Sequence, residues 1–344
     1  MTEPRSPLFE LTMARLRLFL REPGAVFWTF GFPILLSIAL GIAFRNRAPE
    51  PTRVAIAANS GAERILAELG SPLIKVTVED EVIAAKQLRS GKVTLVIVPG
   101  DPLTYRYDET RPEARLARML VDDILQRADG RTDPVRVADE RVTEAGARYI
   151  DFLIPGLVGF NLMSSSMWGI GYSIVDMRTK KLIKRLMATP MRRSDFLLSF
   201  IIVRALFVAV EVPVLFGFGW IGFGVRVFGS PLLLLGLSFL GAFTFAGLGL
   251  LVACRAQNTE TVSGLMNLVI LPMSIASGVF FSTSNFPDRL QPLLRALPLT
   301  ALNDALRAVT NDGAGLVDLG RPIAVLGAFG LLSYAAALKM FRWQ

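Results

Sequence analysis

Six stretches of this chain are too long and too free of charge to sit in the core of a water-soluble fold. Ala25–Phe44 carries no charged side chain, and none lies between Asp151 and Asp176. Phe196–Val225 is interrupted only by Arg204 and Glu211. Val227–Cys254 and Thr261–Pro287 are uncharged, and Pro322–Leu338 is a last run of 17 residues. A helix needs roughly 20 apolar residues to cross the hydrocarbon of a bilayer. The six windows meet or approach that length, the shortest with Lys339 and Arg342 placed to reach the interface. The expected fold class is an α-helical polytopic membrane protein with six transmembrane helices. Composition agrees, since 52% of the 344 residues are hydrophobic and only 19% charged. Ala25–Phe44 is longer than the apolar core of a signal peptide, and no A-x-A-type site follows it before Arg45, so it is expected to remain as a helix.

The net charge of +8 raises the question of a nucleic-acid partner. The basic residues cluster beside apolar windows, where topology and anionic lipid account for them, and no nucleic-acid partner is expected. The segment 176–195 holds Arg178, Lys180, Lys181, Lys184, Arg185, Arg192 and Arg193 against two aspartates. So basic a short loop is expected in the cytoplasm, which by alternation puts both termini there as well. Residues 1–24 then read as a cytoplasmic amphipathic interface helix, with Phe9, Met13, Leu16 and Leu20 at helical spacing and a break at Pro23-Gly24. Residues 25–44 are the first span, 45–149 an extracytoplasmic domain inserted between helices 1 and 2, and 150–344 a five-helix transmembrane domain.

Within the insertion, apolar runs at Val54–Ala58, Ile74–Val78 and Val93–Val98 read as strands, with a fourth at Tyr105–Tyr107. They alternate with helical patterns at Ala62–Leu69, Val82–Leu88 and Glu113–Arg127, which argues for an α/β unit.

The chemistry available is narrow. There is no histidine, which removes Ser-His hydrolysis and His-ligated metal or haem, and a single cysteine, Cys254, which reads as an inert core thiol. Gly91-Lys92 lacks the glycine five positions earlier that a phosphate-cradling loop requires. No metal, cofactor or catalytic residue is expected. Glu211 is the one acidic residue well inside a span, where a charge costs roughly 2.5–3.5 kcal/mol on insertion scales. Arg204, seven residues earlier, lies on the same helical face. A buried polar contact and a proton or cation site are both open readings of Glu211. Asn161 and Ser164–Ser166 supply further polar groups for bonding across helices.

Arg185-Leu186-Met187-Ala188-Thr189-Pro190, Tyr149–Gly156, Asn258–Pro272 with Ser277–Phe281, and Leu297–Thr300 with Asn303–Arg307, taken together, resemble the permeases of the type-2 ABC exporter family. Arg185-Leu186-Met187-Ala188-Thr189-Pro190, followed by Met-Arg-Arg-Ser-Asp, is similar to that family's cytoplasmic loop, a charged helix ending in Leu-x-x-Thr-Pro. Tyr149–Gly156 resembles the entry of its second span, and Asn258–Pro272 with Ser277–Phe281 its fifth. Leu297–Thr300 and Asn303–Arg307 look like its outer re-entrant helices, here within 283–321. The resemblance covers nearly the whole chain. It implies a transmembrane subunit that exports a drug, lipid or other amphiphile, with ATP and Mg²⁺ bound by a separate ATPase subunit. It further implies pairing with a second permease copy, as homodimer or heterodimer, contact with membrane lipid, and residence in the bacterial cytoplasmic (inner) membrane. The loop 176–195 becomes the coupling element, with Arg178, Lys181, Lys184, Arg185, Leu186, Thr189 and Pro190 as the residues expected to meet the ATPase. The family commonly places an acidic residue where this chain has Lys184, so charge pairing with the partner is expected to differ. Two other readings compete: a proton-coupled secondary transporter using Glu211, and a membrane sensor receiving ligand through residues 45–149. The few intramembrane charges and the lack of an inverted repeat weigh against the first, and the short segments expected on the cytoplasmic side against the second.

Overall fold

The computed structural model describes residues 7–43, 51–135, 138, 148–188 and 193–340. The chain divides into two compact units, Met1–Arg45 with Val142–Gln344, and Asn46–Arg141. The first begins with α1 (Pro7–Arg21), which stops because Glu22 precedes a proline and takes extended backbone, φ −105° and ψ 91°. The break expected at Pro23-Gly24 thus falls one residue earlier. Beyond it α2 (Pro23–Val26), a π-helical turn (Phe27–Gly31) and α3 (Phe32–Ala43) run on as one apolar span.

The second unit is β1 (Thr52–Ala57), α4 (Ala62–Glu68), β2 (Ile74–Glu79), α5 (Glu81–Arg89), β3 (Leu95–Val98), β4 (Thr104–Arg106) and α6 (Pro112–Ala128). The sheet runs β2-β1-β3-β4, with β1 parallel to both neighbours and β4 antiparallel to β3. The central position of β1 explains its unbroken apolar run. Its residues alternate between two covered faces, as strands of parallel sheets do. Val54 and Ile56 pack with Ile65, Leu69, Val121 and Leu125 on the side of α4 and α6. Ala55 packs with Ala84, Val93 and Val96 on the side of α5. Asp80 caps α5 by accepting from the Val82 amide at 2.9 Å.

The helical unit resumes with α7 (Tyr149–Met167), a second π-helical turn (Trp168–Tyr172) and α8 (Ser173–Thr179), which together make one 31-residue helix. Then come α9 (Leu182–Met187), α10 (Arg193–Phe223), α11 (Pro231–Arg255), α12 (Thr259–Ala276), α13 (Gln291–Arg295), α14 (Pro298–Asn311) and α15 (Gly320–Met340). Among the described residues six helices are long and apolar enough to cross a membrane. Their ends lie within a few residues of the apolar runs at most places, and the largest departure is at the end of α12. α10 already starts at Arg193, three residues before the apolar run opens at Phe196. α12 ends at Ala276, well short of Pro287, because Ser277 caps it and Gly278 turns into the left-handed region at φ 67°. The residues up to Asn311 form 3₁₀ turns, α13 and the well-buried α14.

The helical unit is held by close backbone approach as well as by apolar contact. A Cβ on Gly171 would stand 2.6 Å from the Gly249 carbonyl oxygen, and one on Gly249 would stand 2.8 Å from the Met167 Cα. Glycine at both positions lets α11 lie against the π turn after α7. This is the small-residue packing that serves helices whose apolar surfaces gain nothing by leaving lipid. α1 lies on α10 through a face one step round from the expected stripe. Phe9 and Leu20 are 44% and 64% exposed. Arg15 donates from Nε to Ser199 Oγ at 3.0 Å with its guanidinium 3.3 Å from the Phe200 ring centre, and Phe19 meets Phe207.

Candidate functional site

Three groups of polar residues stand out in the helical unit: one buried among its spans, one at the α8–α9 turn and one around α14. The buried group gathers Asn161, Arg204 and Glu211. Glu211 is fully buried and Arg204 is 7% exposed, and Arg204 Nη1 stands 3.1 Å from Glu211 Oε2. The seven-residue spacing on α10 makes this contact, two helical turns along one face. Asn161, from α7, donates its amide Nδ2 to Glu211 Oε1 and, at 2.9 Å, to the carbonyl oxygen of Thr29. Ser165 donates to the Asn161 carbonyl and lies 3.5 Å from Glu211 Oε1. Arg204 Nη2 also reaches the Leu162 carbonyl at 3.5 Å.

Thr29 belongs to the π-helical turn of the first span. Widening a helix by one residue alters its ladder of hydrogen bonds, and such turns recur at functional positions. Here Thr29 brings an acceptor to the amide that also binds Glu211, so three spans meet at the Asn161 side chain. Sequence reasoning singled out Glu211, Arg204 and Asn161 but missed Thr29, since nothing in Phe27–Gly31 marks a π turn.

The second group sits on α8, α9 and the turn between them. Lys180 pairs with Asp176 at 2.8 Å, and Lys181 takes left-handed backbone at φ 57°, turning the chain sharply. Arg178 is half-buried and donates from Nη1 to the Ala253 and Ala256 carbonyls at 3.3 and 3.2 Å. These are orphan acceptors at the end of α11, of the kind basic side chains commonly satisfy. Ile183 is 5% exposed and packs, with half-buried Leu186, among Ile170, Ile174, Phe196, Phe200, Leu250 and Ala337. Lys184 and Arg185 point to the exposed side. The short helix α9 is therefore fastened by its apolar side, α8 before it is fastened by Arg178, and α9 offers its basic side. Thr189 and Pro190 lie outside the described residues.

A third arrangement clasps α14. Arg307 donates from Nε to the Phe152 carbonyl at 3.1 Å and from Nη2 to the Gly278 carbonyl at 2.5 Å, and its guanidinium lies 3.5 Å from the Phe152 ring centre. Asn303 donates to the Ser277 carbonyl at 3.1 Å, and Tyr149 donates its hydroxyl to Phe280 at 3.0 Å. Arg307 thus ties α14 both to the start of α7 and to the end of α12.

Comparison with known proteins agrees with this architecture. Residues 23–339 match the family model described as ABC-2 family transporter protein. The linearmycin resistance permease LnrN of Bacillus subtilis is 24% identical over 200 residues, 54% of this chain and 48% of that one. Nodulation protein J of Rhizobium meliloti is 28% identical over 203 residues, 57% of this chain and 75% of its own. The daunorubicin resistance ABC transporter permease DrrB1 of Streptomyces coeruleorubidus is 30% identical over 136 residues, 40% of this chain and 46% of its own. The chain thus spans about half the length of two of these three relatives. With six apolar helices and a family match running over nearly its whole length, the chain belongs to the ABC-2 transporter family and is a multi-pass membrane protein.

Proposed function

We propose that this chain is the membrane-spanning subunit of an exporter that moves an amphiphile outward, driven by ATP hydrolysed on a separate ATPase subunit. The observation that carries the proposal is the build of α9. Its apolar side is packed onto the membrane helices, Arg178 pins the preceding helix to the end of α11, and Lys184 and Arg185 are left exposed. A push on the basic side would reach α10 and α11 with little slack. In this reading Lys184, Arg185, Lys181 and the Thr189-Pro190 step meet the ATPase, while Leu186 and Arg178 transmit the motion. The loop and both termini lie in the cytoplasm of a bacterial cell, the α/β unit lies outside the inner membrane, and a second permease copy completes the path. Family membership supports the ATPase partnership, and the resistance names of two relatives support a drug or other amphiphile as cargo. ATP and Mg²⁺ belong to the partner. For Glu211 the ion pair with Arg204 supports a structural role over proton coupling.

The test is charge reversal. Lys184→Glu with Arg185→Glu is expected to abolish co-purification of the ATPase from native membranes, while the thermal midpoint of the detergent-purified chain stays within a degree or two. Undiminished ATPase recovery with the double variant would remove α9 as the docking element.

A further inference from the structure

A half-open cavity of about 200 Å³ lies between α10, α11 and α15. Its walls are mostly apolar: Ile201, Ala205, Phe239, Ala242, Phe243 and Ala246. Arg204 and Tyr334 also line it. Both bring a hydrogen-bond donor that is buried and finds no acceptor among the described residues, Arg204 through Nε and Tyr334 through its hydroxyl. Arg204 is more than nine-tenths buried. Tyr334 is held in place by stacking on Phe243, with ring centres 4.5 Å apart, and its ring has room because position 247 is glycine, where a Cβ would come within 2.8 Å of it. Buried donors are ordinarily satisfied, and two unsatisfied ones beside one apolar cavity mark a place where an acceptor is missing.

We infer that this cavity is a binding site for a largely apolar molecule carrying a neutral oxygen acceptor, a ketone or ester carbonyl, which takes hydrogen bonds from Arg204 and Tyr334. The ligand's polar group is neutral because Glu211 already balances the Arg204 charge at 3.1 Å, and a second carboxylate would leave an uncompensated negative charge in an apolar setting. The volume suits one aromatic ring with its carbonyl or a short length of acyl chain, since an engineered apolar cavity of roughly 150 Å³ holds one benzene, and the open side leaves room for a larger molecule to extend outward. The site lies within one protomer and is independent of how the ATPase docks.

Benzophenone is a suitable probe, being two apolar rings joined by one carbonyl and itself photoreactive. Irradiated with the detergent-purified full chain, it is expected to label residues of α10, α11 and α15 around Ala205, Ala242 and Ala246, read by peptide mass spectrometry. Ala205→Leu, which fills the cavity, should cut that labelling at least tenfold. Tyr334→Phe keeps the shape and removes only the hydroxyl, and should cut it severalfold. Diphenylmethane, which lacks the carbonyl, should compete at least tenfold more weakly than unlabelled fluorenone, a related ketone. Labelling spread evenly over the apolar surface, or unchanged by both variants, would overturn the site. Equal competition by diphenylmethane would overturn the role of the acceptor. Repeating the labelling in phosphatidylethanolamine vesicles identifies the source of the ligand. Loss in these vesicles that is not reproduced in ether-linked phosphatidylethanolamine, which takes up the probe equally but has no ester carbonyl, assigns the cavity to a lipid ester; equal labelling in the two lipids assigns it to a free small molecule.

Discussion

The two units of this chain bury opposite things. In the α/β unit the interior is wholly aliphatic around β1, and the charges form ion pairs at the surface, such as Arg127 with Asp123, 55% and 37% exposed. In the helical unit an arginine and a glutamate are buried together with an asparagine, while Leu268, Ile275, Leu331 and Leu332 are more than 60% exposed. The contrast follows from the solvent each surface meets. Facing water, a leucine gains by burial and a charge by exposure. Facing hydrocarbon, a leucine gains nothing by burial, whereas a charge must find its partner inside the protein.

The sharpest way to break the contrast is to remove the carboxylate. Glu211→Ala leaves Arg204 charged, buried and short of its partner, and should cost about 3–5 kcal/mol of stability, measured by detergent-denaturant unfolding of the purified chain. Replacing both together, Glu211→Leu with Arg204→Met, should recover most of that loss, because the penalty belongs to the orphaned charge and not to the missing pair. The counterpart in the other unit, Asp123→Ala, should leave the midpoint unchanged within error, since exposed ion pairs contribute little. A Glu211→Ala protein as stable as the parent would mean that Arg204 is hydrated, and the proposed inversion between the units would fail.

This contrast also explains what the sequence revealed. The six spans were legible because an apolar run near 20 residues long with few or no charges has few other uses, and the sheet was legible from its alternation of apolar runs with helical patterns. The Arg204–Glu211 pair was readable as two turns of one helix. What stayed hidden depends on contacts distant in sequence or on small departures from regular helix. The Thr29 acceptor needs the π turn. Arg178 looks like any loop arginine until the end of α11 arrives beside it. Arg307 was noticed only for its motif, and its grip on Phe152 and Gly278 is a matter of tertiary placement. The early end of α12 had a signal, Ser277-Gly278, but an unbroken apolar composition through Phe281 masks it.

A smaller effect is expected from packing. Gly249→Ala puts a methyl group 2.8 Å from the Met167 Cα, against backbone that cannot swing aside as a side chain would. Forcing the helices apart should cost about 1–3 kcal/mol, seen as a lowered unfolding midpoint. Gly236→Ala on the same helix, with open space around the new carbon, is the control and should be neutral or slightly stabilising. Equal behaviour of the two variants would show that α11 does not approach Met167 so closely.

The smallest effect tests the polar rule of the water-facing unit. Tyr105, on β4, packs against the aliphatic core and donates its hydroxyl to Asp122 at 3.3 Å. Burial, aided by the negative charge of Asp122, pushes its phenol up to about 12. A group whose folded pKa lies above its unfolded value stabilises the fold fully below the unfolded value, here near 10, and loses that contribution as pH rises through the folded one. Stability of the full chain should therefore decline between about pH 10 and 12 in part through this residue, with Tyr105 ionising late in a titration followed at 295 nm. Tyr105→Phe should cost about 0.5–1.5 kcal/mol at neutral pH for the lost hydrogen bond, and should flatten that part of the alkaline decline. If the phenolate of Tyr105 instead forms near its ordinary value, the hydroxyl is open to water, and this corner of the sheet unit is less completely packed than its aliphatic centre.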